Sequence, residues 1–217
     1  MPPNTFNQAE QEIQLFQSAA RAGIDRIVKL STAKAALESP CHFFRQHAIA
    51  EQYLKRSSSS FTILRANSFM QNFLWFAGEM KTEGTLSLPM GKAKTAPVDI
   101  RDVATVAARV STKYSYEGKT YNVTGAELLS LRGVAAKFSK VVGRKVAYVD
   151  IASTEFNRRL VRAGVPEWFA EAVVVAWQVA RSGQPIMTDH VEKISRSRPR
   201  LFDEFVQDYT HGSLIFF

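Results

Sequence analysis

A regular alternation of helix-like and strand-like segments, joined by short connections, dominates residues 7–65 of the chain. Residues 7–22 carry apolar side chains at helical spacing, and residues 25–30 form a short strand-like run. A second helix is predicted over 42–56 and a second strand over 61–65. Parallel strands need a long crossover, usually a helix, so this order is typical of a parallel sheet. The sequence therefore predicts an α/β fold, in which ligands bind at the carboxyl ends of the strands.

The rest of the chain has a less regular pattern. Asp99 and Ser130 each precede a helical pattern, and both residue types accept hydrogen bonds from the first free amides of a helix. The predicted elements are a hairpin of 85–88 with 94–98 around Gly91, helices over 99–112 and 131–142, strands over 120–123 and 146–150, a helix capped by Ser153 or Thr154, a helix over 167–181, and a short helix over 201–209.

The composition favours a cytoplasmic protein without a membrane span. A chain of 217 residues fits one large domain, and no stretch approaches the roughly 20 apolar residues needed to cross a bilayer. Residues 1–5 lack the charged and apolar regions of a secretory signal. Cys41 is the single cysteine, so it cannot form an internal disulfide.

The formal charge of +8 raises the question of an anionic partner. A basic balance suits nucleic acid, an anionic surface or a phosphate-bearing ligand. The basic residues are scattered, however, apart from small clusters over 158–162 and 193–200, and no zinc-finger or RNA-recognition signature accompanies them. Nucleic-acid binding is therefore not expected, and these clusters are interpreted as solvated surface.

His47 and Glu51 stand four residues apart on the second predicted helix, so their side chains share a face. One hypothesis places His47 in a ligand cleft, with Glu51 orienting the helix or binding nearby backbone. The alternative is a surface pair worth a few tenths of a kcal/mol. A metal site is not predicted, because the chain has only 4 His and no second pair at metal-binding spacing.

Polar residues also follow the two predicted strands. Ser31 comes directly after the first strand, where an α/β enzyme can place a hydroxyl, although an ordinary loop serine fits as well. Asn67 follows the second strand and precedes Phe69 and Met70, a combination that suits recognition of a planar ligand. The alternative is a helix N-terminus capped by Asn67 or Ser68.

Several common catalytic motifs are missing from the printed sequence. Tyr53 is followed four residues later by Ser57, so the Tyr-x-x-x-Lys pair of classical short-chain dehydrogenases does not occur there. The sequence also contains no Gly-x-Ser-x-Gly, no Walker loop and no His-Glu-x-x-His. These observations argue against common hydrolase, kinase and metalloprotease functions.

Several motifs occur in the order expected of one family. They are Ile27-Val28-Lys29-Leu30-Ser31, His47-x-x-x-Glu51-x-x-Leu54, Thr62-Ile63-Leu64-Arg65-x-Asn67-x-Phe69-Met70-x-Asn72, Asp99-x-x-Asp102-Val103-Ala104 and Tyr121-Asn122-Val123-Thr124-Gly125. Together they resemble the NmrA-like branch of the atypical short-chain dehydrogenases/reductases, within the NAD(P)-binding Rossmann superfamily. The resemblance extends to about residue 209.

The resemblance implies a partial Rossmann-like parallel sheet with crossover helices, plus a small α/β C-terminal substrate-binding region. It implies one NmrA-like domain over 1–217, with the remaining Rossmann part in 1–80 and a mixed core-completing and substrate-side region in 81–217. The implied function is that of an NAD(P)-binding protein derived from an NAD(P)H-dependent oxidoreductase acting on a small planar or conjugated substrate. The alternative is a non-catalytic NmrA-type regulatory or dinucleotide-sensing protein with a protein partner.

The family pattern also assigns roles to residues of this sequence. A Lys or His often occupies the position of His47 and lies near the nicotinamide, which makes His47 the candidate catalytic residue. The cofactor, NADP or NAD, is expected to contact Leu30, Ser31, His47, Ala66 and Asn67. Phe69 and Met70 are expected to line the substrate pocket.

Two departures from the family pattern modify these expectations. Ala66 stands where the family usually has Pro. The printed sequence contains no Gly-x-x-Gly-x-x-Gly loop, which in the family holds the pyrophosphate at a helix N-terminus. We therefore expect a chain that starts after the family's fourth strand, at Pro2-Pro3-Asn4, and that binds the cofactor weakly. The apolar faces of the shortened sheet are then expected to be exposed, which favours a fragment or truncated gene model; the alternative is a partner that covers them.

Overall fold

The computed structural model describes residues 5–211 of this chain. The predicted start at Pro2-Pro3-Asn4 and the outer bounds of the single predicted domain lie outside the described residues. The division of that domain at residue 80 stays a prediction.

The first half of the described chain has the predicted alternation of helix and strand. Helix α1 (Gln8–Arg21) leads into strand β1 (Arg26–Thr32), and helix α2 (His42–Arg56) leads into strand β2 (Ser60–Ala66). Strands β1 and β2 pair in parallel along their whole length. Apolar side chains at helical spacing determine the two helices, because the apolar face of each helix is buried against a face of the sheet.

Strand β5 (Lys119–Val123) pairs in parallel with the other edge of β2, which gives the sheet order β1-β2-β5 among the described residues. On one side of this sheet, Ile63 packs with Phe16 of α1 and Leu54 of α2. The opposite side packs against helix α4 (Ile100–Ser111), for example through Leu64. Both faces are covered, as is usual in parallel sheets. The predicted α/β fold with crossover helices is confirmed.

The predicted hairpin around Gly91 is wrong. Strand β3 (Thr85–Leu88) pairs in parallel with β7 (Ala147–Asp150), and β4 (Lys94–Thr95) pairs antiparallel with β6 (Leu129–Ser130). Gly91 does take a left-handed conformation, with φ of 57°, but the turn does not join its neighbours into a ladder. Leu86 and Leu88 are fully buried in a core that also includes helix α5 (Leu131–Val142), so packing against distant elements decides their pairing.

The other helices follow the sequence with small differences. The predicted caps are confirmed at Asp99, which accepts a hydrogen bond from the amide of Arg101, and at Ser130, which accepts one from Gly133. The predicted cap at Ser153 or Thr154 is wrong, because Ala152 precedes that helix and makes no side-chain cap. The helices of this part are α3 (Ala77–Thr82), α5 (Leu131–Val142), α6 (Ser153–Arg162), α7 (Glu167–Ser182), α8 (His190–Ser195), which the sequence did not predict, and α9 (Phe202–His211).

A second apolar core lies beside the sheet and unites the C-terminal half. It contains Phe73, Phe138, Phe202 and Phe205, which are almost completely buried and stack edge to face. Across residues 5–211, every helix is too short or too polar to cross a membrane.

Candidate functional site

The candidate site lies where α2 covers the carboxyl half of β1 and β2. Side chains alternate along β1, so Ile27, Lys29 and Ser31 face α1 and α2. Because α2 begins after the carboxyl end of β1, its first turns lie at that edge of the sheet. His47 lies in the second turn of α2 and Glu51 one turn further along, and both side chains contact β1. We call the polar side chains between α1, α2 and the sheet the buried polar layer; it consists of Gln8, Glu12, Lys29, Ser31, His47, Glu51 and Arg65.

In one half of this layer, Glu51 accepts the hydrogen bonds of the neighbouring side chains. Its carboxylate accepts hydrogen bonds from Ser31 Oγ at 2.6 Å, from Arg65 Nε at 2.9 Å and from Arg65 Nη2 at 2.6 Å. Burial raises the pKa of Glu51, but the hydrogen bonds and charge of Arg65 and the Ser31 hydroxyl outweigh it, so the pKa lies below its ordinary value. Glu51 is only 2% exposed, so the alternative of a surface pair with His47 is wrong.

His47 belongs to the other half of the layer and is 6% exposed. Its Nδ1 lies 3.3 Å from Lys29 Nζ, and the amide nitrogen of Gln8 lies 3.5 and 3.4 Å from Nδ1 and Nε2. Burial, and next the charge of Lys29, lower the pKa of His47 to about 3, against a smaller opposing effect of Glu51. The imidazole is therefore neutral throughout the physiological pH range.

Lys29 and Glu12 form an ion pair that is almost completely buried. Glu12 also accepts a hydrogen bond of 3.1 Å from Gln8 Nε2, while Gln8 Oε1 is buried without a partner. Burial lowers the pKa of Lys29, and the charge of Glu12 offsets part of that effect. The sequence pattern does not indicate Gln8, Glu12 and Lys29 as parts of a site. No local signal marks them, because the inward direction of Lys29, between Ile27 and Ser31, follows only from the packing of α1 and α2 on β1.

Asn67 lies at the carboxyl end of β2, outside the buried polar layer. Its Oδ1 accepts hydrogen bonds from Ser68 N at 2.8 Å and Thr95 Oγ1 at 2.9 Å, and its Nδ2 donates to Ile186 O at 3.2 Å. The next helical turn, a 3-10 helix, begins at Met70 and has no side-chain cap. The alternative of Asn67 or Ser68 as a helix cap is therefore wrong, and Asn67 joins three segments instead.

One of these segments, residues 183–189 between α7 and α8, crosses the carboxyl edge of the sheet. Besides the contact with Asn67, Lys34 Nζ donates to Gln184 O at 2.6 Å, and Thr188 Oγ1 donates to Asn122 O at 2.6 Å. The backbone amide of Thr188 also donates to Thr124 Oγ1 at 3.0 Å. The chain after α7 thus covers the edge where ligands of parallel sheets bind.

The other predicted contact residues lie around this edge. Leu30 is half-buried and packs on the α4 side of the sheet, away from His47, and the carbonyl of Ala66 accepts a hydrogen bond from Ala33. Phe69 is half-buried against the same core. Met70 is only 2% exposed and packs into the C-terminal core. The structure thus brings Ser31 and His47 into one layer and places the other five predicted residues, including Asn67, outside it.

A groove of about 620 Å³ runs along the outside of α1 and α2. Its lining includes Phe6, Ile13, His42, Gln46 and Ile49, and none of the residues predicted for the cofactor or substrate belongs to it. Phe6 stacks on His42, with ring centroids 4.6 Å apart. The described residues contain no group of three or more His, Cys, Asp or Glu placed to hold a metal ion.

Comparison with known proteins identifies the family of this chain. A model of the NmrA-like family matches residues 3–211. An NAD(P)H azoreductase of Xenophilus azovorans is 31% identical over 206 residues, which are 94% of this chain and 72% of that protein. Quinone oxidoreductase 2 of Escherichia coli is 29% identical over 164 residues, 76% of this chain and 57% of that protein. The chain therefore spans little more than half of that relative.

Solved structures agree with the sequence comparison. The NADPH complex of the NADPH-dependent quinone oxidoreductase QOR2 from Escherichia coli is 26% identical to this chain, with a TM-score of 0.85 over 93% of this chain and 71% of that one. The Citrobacter sp. triphenylmethane reductase complexed with NADP(H) is 25% identical, with a TM-score of 0.82 over 95% of this chain and 74% of that one.

Proposed function

This chain belongs to the NmrA-like family, and from that premise we propose that it acts as an NAD(P)H-dependent reductase of a small planar, conjugated substrate. The relatives named for reduction of azo compounds, quinones and triphenylmethane dyes support this proposal. We place the nicotinamide end of the cofactor and the substrate at the carboxyl edge of β1 and β2.

The main structural support for the proposal is the buried polar layer. Taking charges such as Glu12, Lys29 and Glu51 out of water is expensive, and a well-packed apolar set of similar volume is often as stable or more so. A contribution to stability is therefore, by itself, a weak explanation for the presence of these buried charges. Perturbed ionisable groups concentrate at functional sites, and here they lie at the edge of a parallel sheet where ligands bind.

The residues fit the nicotinamide end of such a cofactor. Ser31 donates its proton to Glu51, but its oxygen can still accept. Neutral His47 can donate, and Asn67 retains one Nδ2 proton; these are uncharged groups of the kind that a carboxamide and ribose hydroxyls require. Ser68 Oγ and Asn122 Oδ1, near the ends of β2 and β5, are buried without a hydrogen-bond partner. When bound, NAD(P)H supplies the hydride. His47 then serves as a hydrogen-bond donor beside the reacting groups, while Asn67 holds residues 183–189 over the edge.

The proposal is tested by following NADPH oxidation with three acceptors: a quinone, an azo dye and a triphenylmethane dye. NADPH is supplied up to millimolar concentration, so that activity with weak cofactor binding is also detected. We expect turnover with at least one acceptor and a loss of about 100-fold in kcat for His47→Gln, a typical size for removing an acid–base or hydrogen-bonding group. The matched control is His42→Gln, an outer position of the same helix, which should keep the wild-type rate.

Two results would contradict the proposal. One is the lack of turnover by the wild-type protein with all three acceptors, and the other is a His47→Gln variant as active as the wild type. NADPH binding without any turnover would favour the regulatory alternative, because such a protein senses the dinucleotide and does not reduce a substrate.

A further inference from the structure

The surroundings of Lys29 Nζ determine which atoms it contacts. It lies within hydrogen-bond distance of three acceptors: Glu12 Oε2, the backbone carbonyl of Leu30 at 3.4 Å and His47 Nδ1 at 3.3 Å. A lysine ammonium has three N–H donors and no lone pair. The three contacts therefore use every donor of Lys29, and one of them is directed to the imidazole.

This arrangement restricts the proton of His47. A nitrogen that faces an ammonium must offer its lone pair, so Nδ1 carries no proton. Since His47 is neutral, its single ring proton resides on Nε2. We propose that Lys29 is a positioning residue that holds the proton of His47 on Nε2 and thereby makes Nε2 the hydrogen-bond donor of the ring.

The other groups around the ring are compatible with this assignment. From α1, the Glu12 carboxylate accepts from Lys29. The Gln8 amide nitrogen, which can only donate, lies about equally far from both ring nitrogens, so its position does not select which of them accepts. From α2 itself, Glu51 directs its carboxylate to Ser31 and Arg65. Lys29 is thus the group that distinguishes Nδ1 from Nε2.

The consequence for catalysis rests on the proposed function. A reductase that places the nicotinamide end beside His47 needs one defined ring nitrogen as donor, because the two tautomers present opposite hydrogen-bonding patterns. The Lys29–Glu12 pair supplies that definition through Nδ1, the ring nitrogen that Lys29 contacts. The buried Lys29–Glu12 ion pair then positions a proton, besides any contribution that it makes to stability.

The test reads the tautomer directly and needs no cofactor. Long-range proton–nitrogen correlation spectra of the nitrogen-15-labelled protein separate protonated from unprotonated ring nitrogens, and the His47→Gln variant assigns the signals of His47 by their loss. Between pH 6 and 8, the wild-type protein should show a single pattern with a proton on Nε2. Lys29→Met should add the Nδ1-protonated form, whereas Lys29→Arg should keep the wild-type pattern.

Gln8→Leu is the matched control, because it removes the other polar neighbour of the ring and leaves Lys29 in place; its spectrum should retain the Nε2 proton. A wild-type protein with the proton on Nδ1 would overturn the inference, even if Lys29→Met failed to fold. So would a folded Lys29→Met variant with an unchanged pattern. Failure of the reductase proposal appears separately, as a lack of NADPH turnover with the tautomer as predicted.

Discussion

Replacing His47 by glutamine should change the way in which stability depends on pH. The pKa of His47 is lowered from 6.5 to about 3 by burial and by Lys29. Below pH 6.5 the unfolded chain therefore binds a proton at this position that the folded protein excludes. The stability that comes from a neutral His47 is fully present above pH 6.5 and is lost as the pH falls toward 3.

The size of the effect follows from the linkage relation. With an ordinary pKa of 6.5 in the unfolded state, the folded protein loses about 2 kcal/mol between pH 7.5 and pH 5, and about 4 kcal/mol by pH 3. The first figure depends little on the folded value, provided that it lies well below 5. Glu51 and Asp99 have lowered pKa values, so their contributions are lost only below their ordinary values near pH 4.

The assay is urea unfolding of the wild type and His47→Gln at several pH values between 7.5 and 5. We expect the free energy of unfolding of the wild type to fall by about 2 kcal/mol more than that of the variant over this interval. A difference in the free energy of unfolding that is the same at every pH reports only the change in packing and is not evidence for the pKa of His47. Parallel pH curves for the two proteins would refute the argument that His47 is buried in its neutral form.

Two further predictions concern the buried network and the backbone. Glu51→Gln should destabilise the protein by about 2–4 kcal/mol, since it leaves Arg65 without its carboxylate; thermal unfolding that stays at the wild-type temperature would contradict this. Gly125→Ala should cost at least about 2 kcal/mol, because a Cβ there would lie 2.0 Å from the carbonyl oxygen of Pro97. Gly78→Ala is the matched control: its Cβ meets nothing within 4 Å and it lies in helix α3, so it should stabilise by about 0.5–1 kcal/mol. Equal unfolding midpoints for the two glycine variants would show that the close approach at Gly125 is not real.

Local patterns were sufficient to predict the first half of the fold. The helix over 42–56 was predicted at its observed bounds, and the strand over 61–65 differs by one residue at each end. The hairpin around Gly91 could not be rejected from sequence, because β3 finds its partner about 60 residues away in β7, and burial in the aromatic core decides that pairing. Helix α8 was missed because its 6 residues are too few to show a period.

The candidate site was only partly predictable. The spacing of His47 and Glu51 showed that they share a helix face, and the end of a strand indicated Ser31. Nothing in the local sequence shows that Lys29 is buried, because a lysine is almost never fully buried unless it is paired. Its partner Glu12 is 17 residues away on another element, so only the packing of α1 on β1 brings the pair together.

Mapping NADPH onto assigned NMR resonances of the protein shows residue by residue whether the carboxyl edge of β1 and β2 holds the nicotinamide end of the cofactor. We expect the largest shifts at Ser31, His47 and Asn67, with smaller effects along the groove lined by Phe6, Ile13 and Ile49. Shifts confined to that groove, or none at millimolar NADPH, would contradict this expectation.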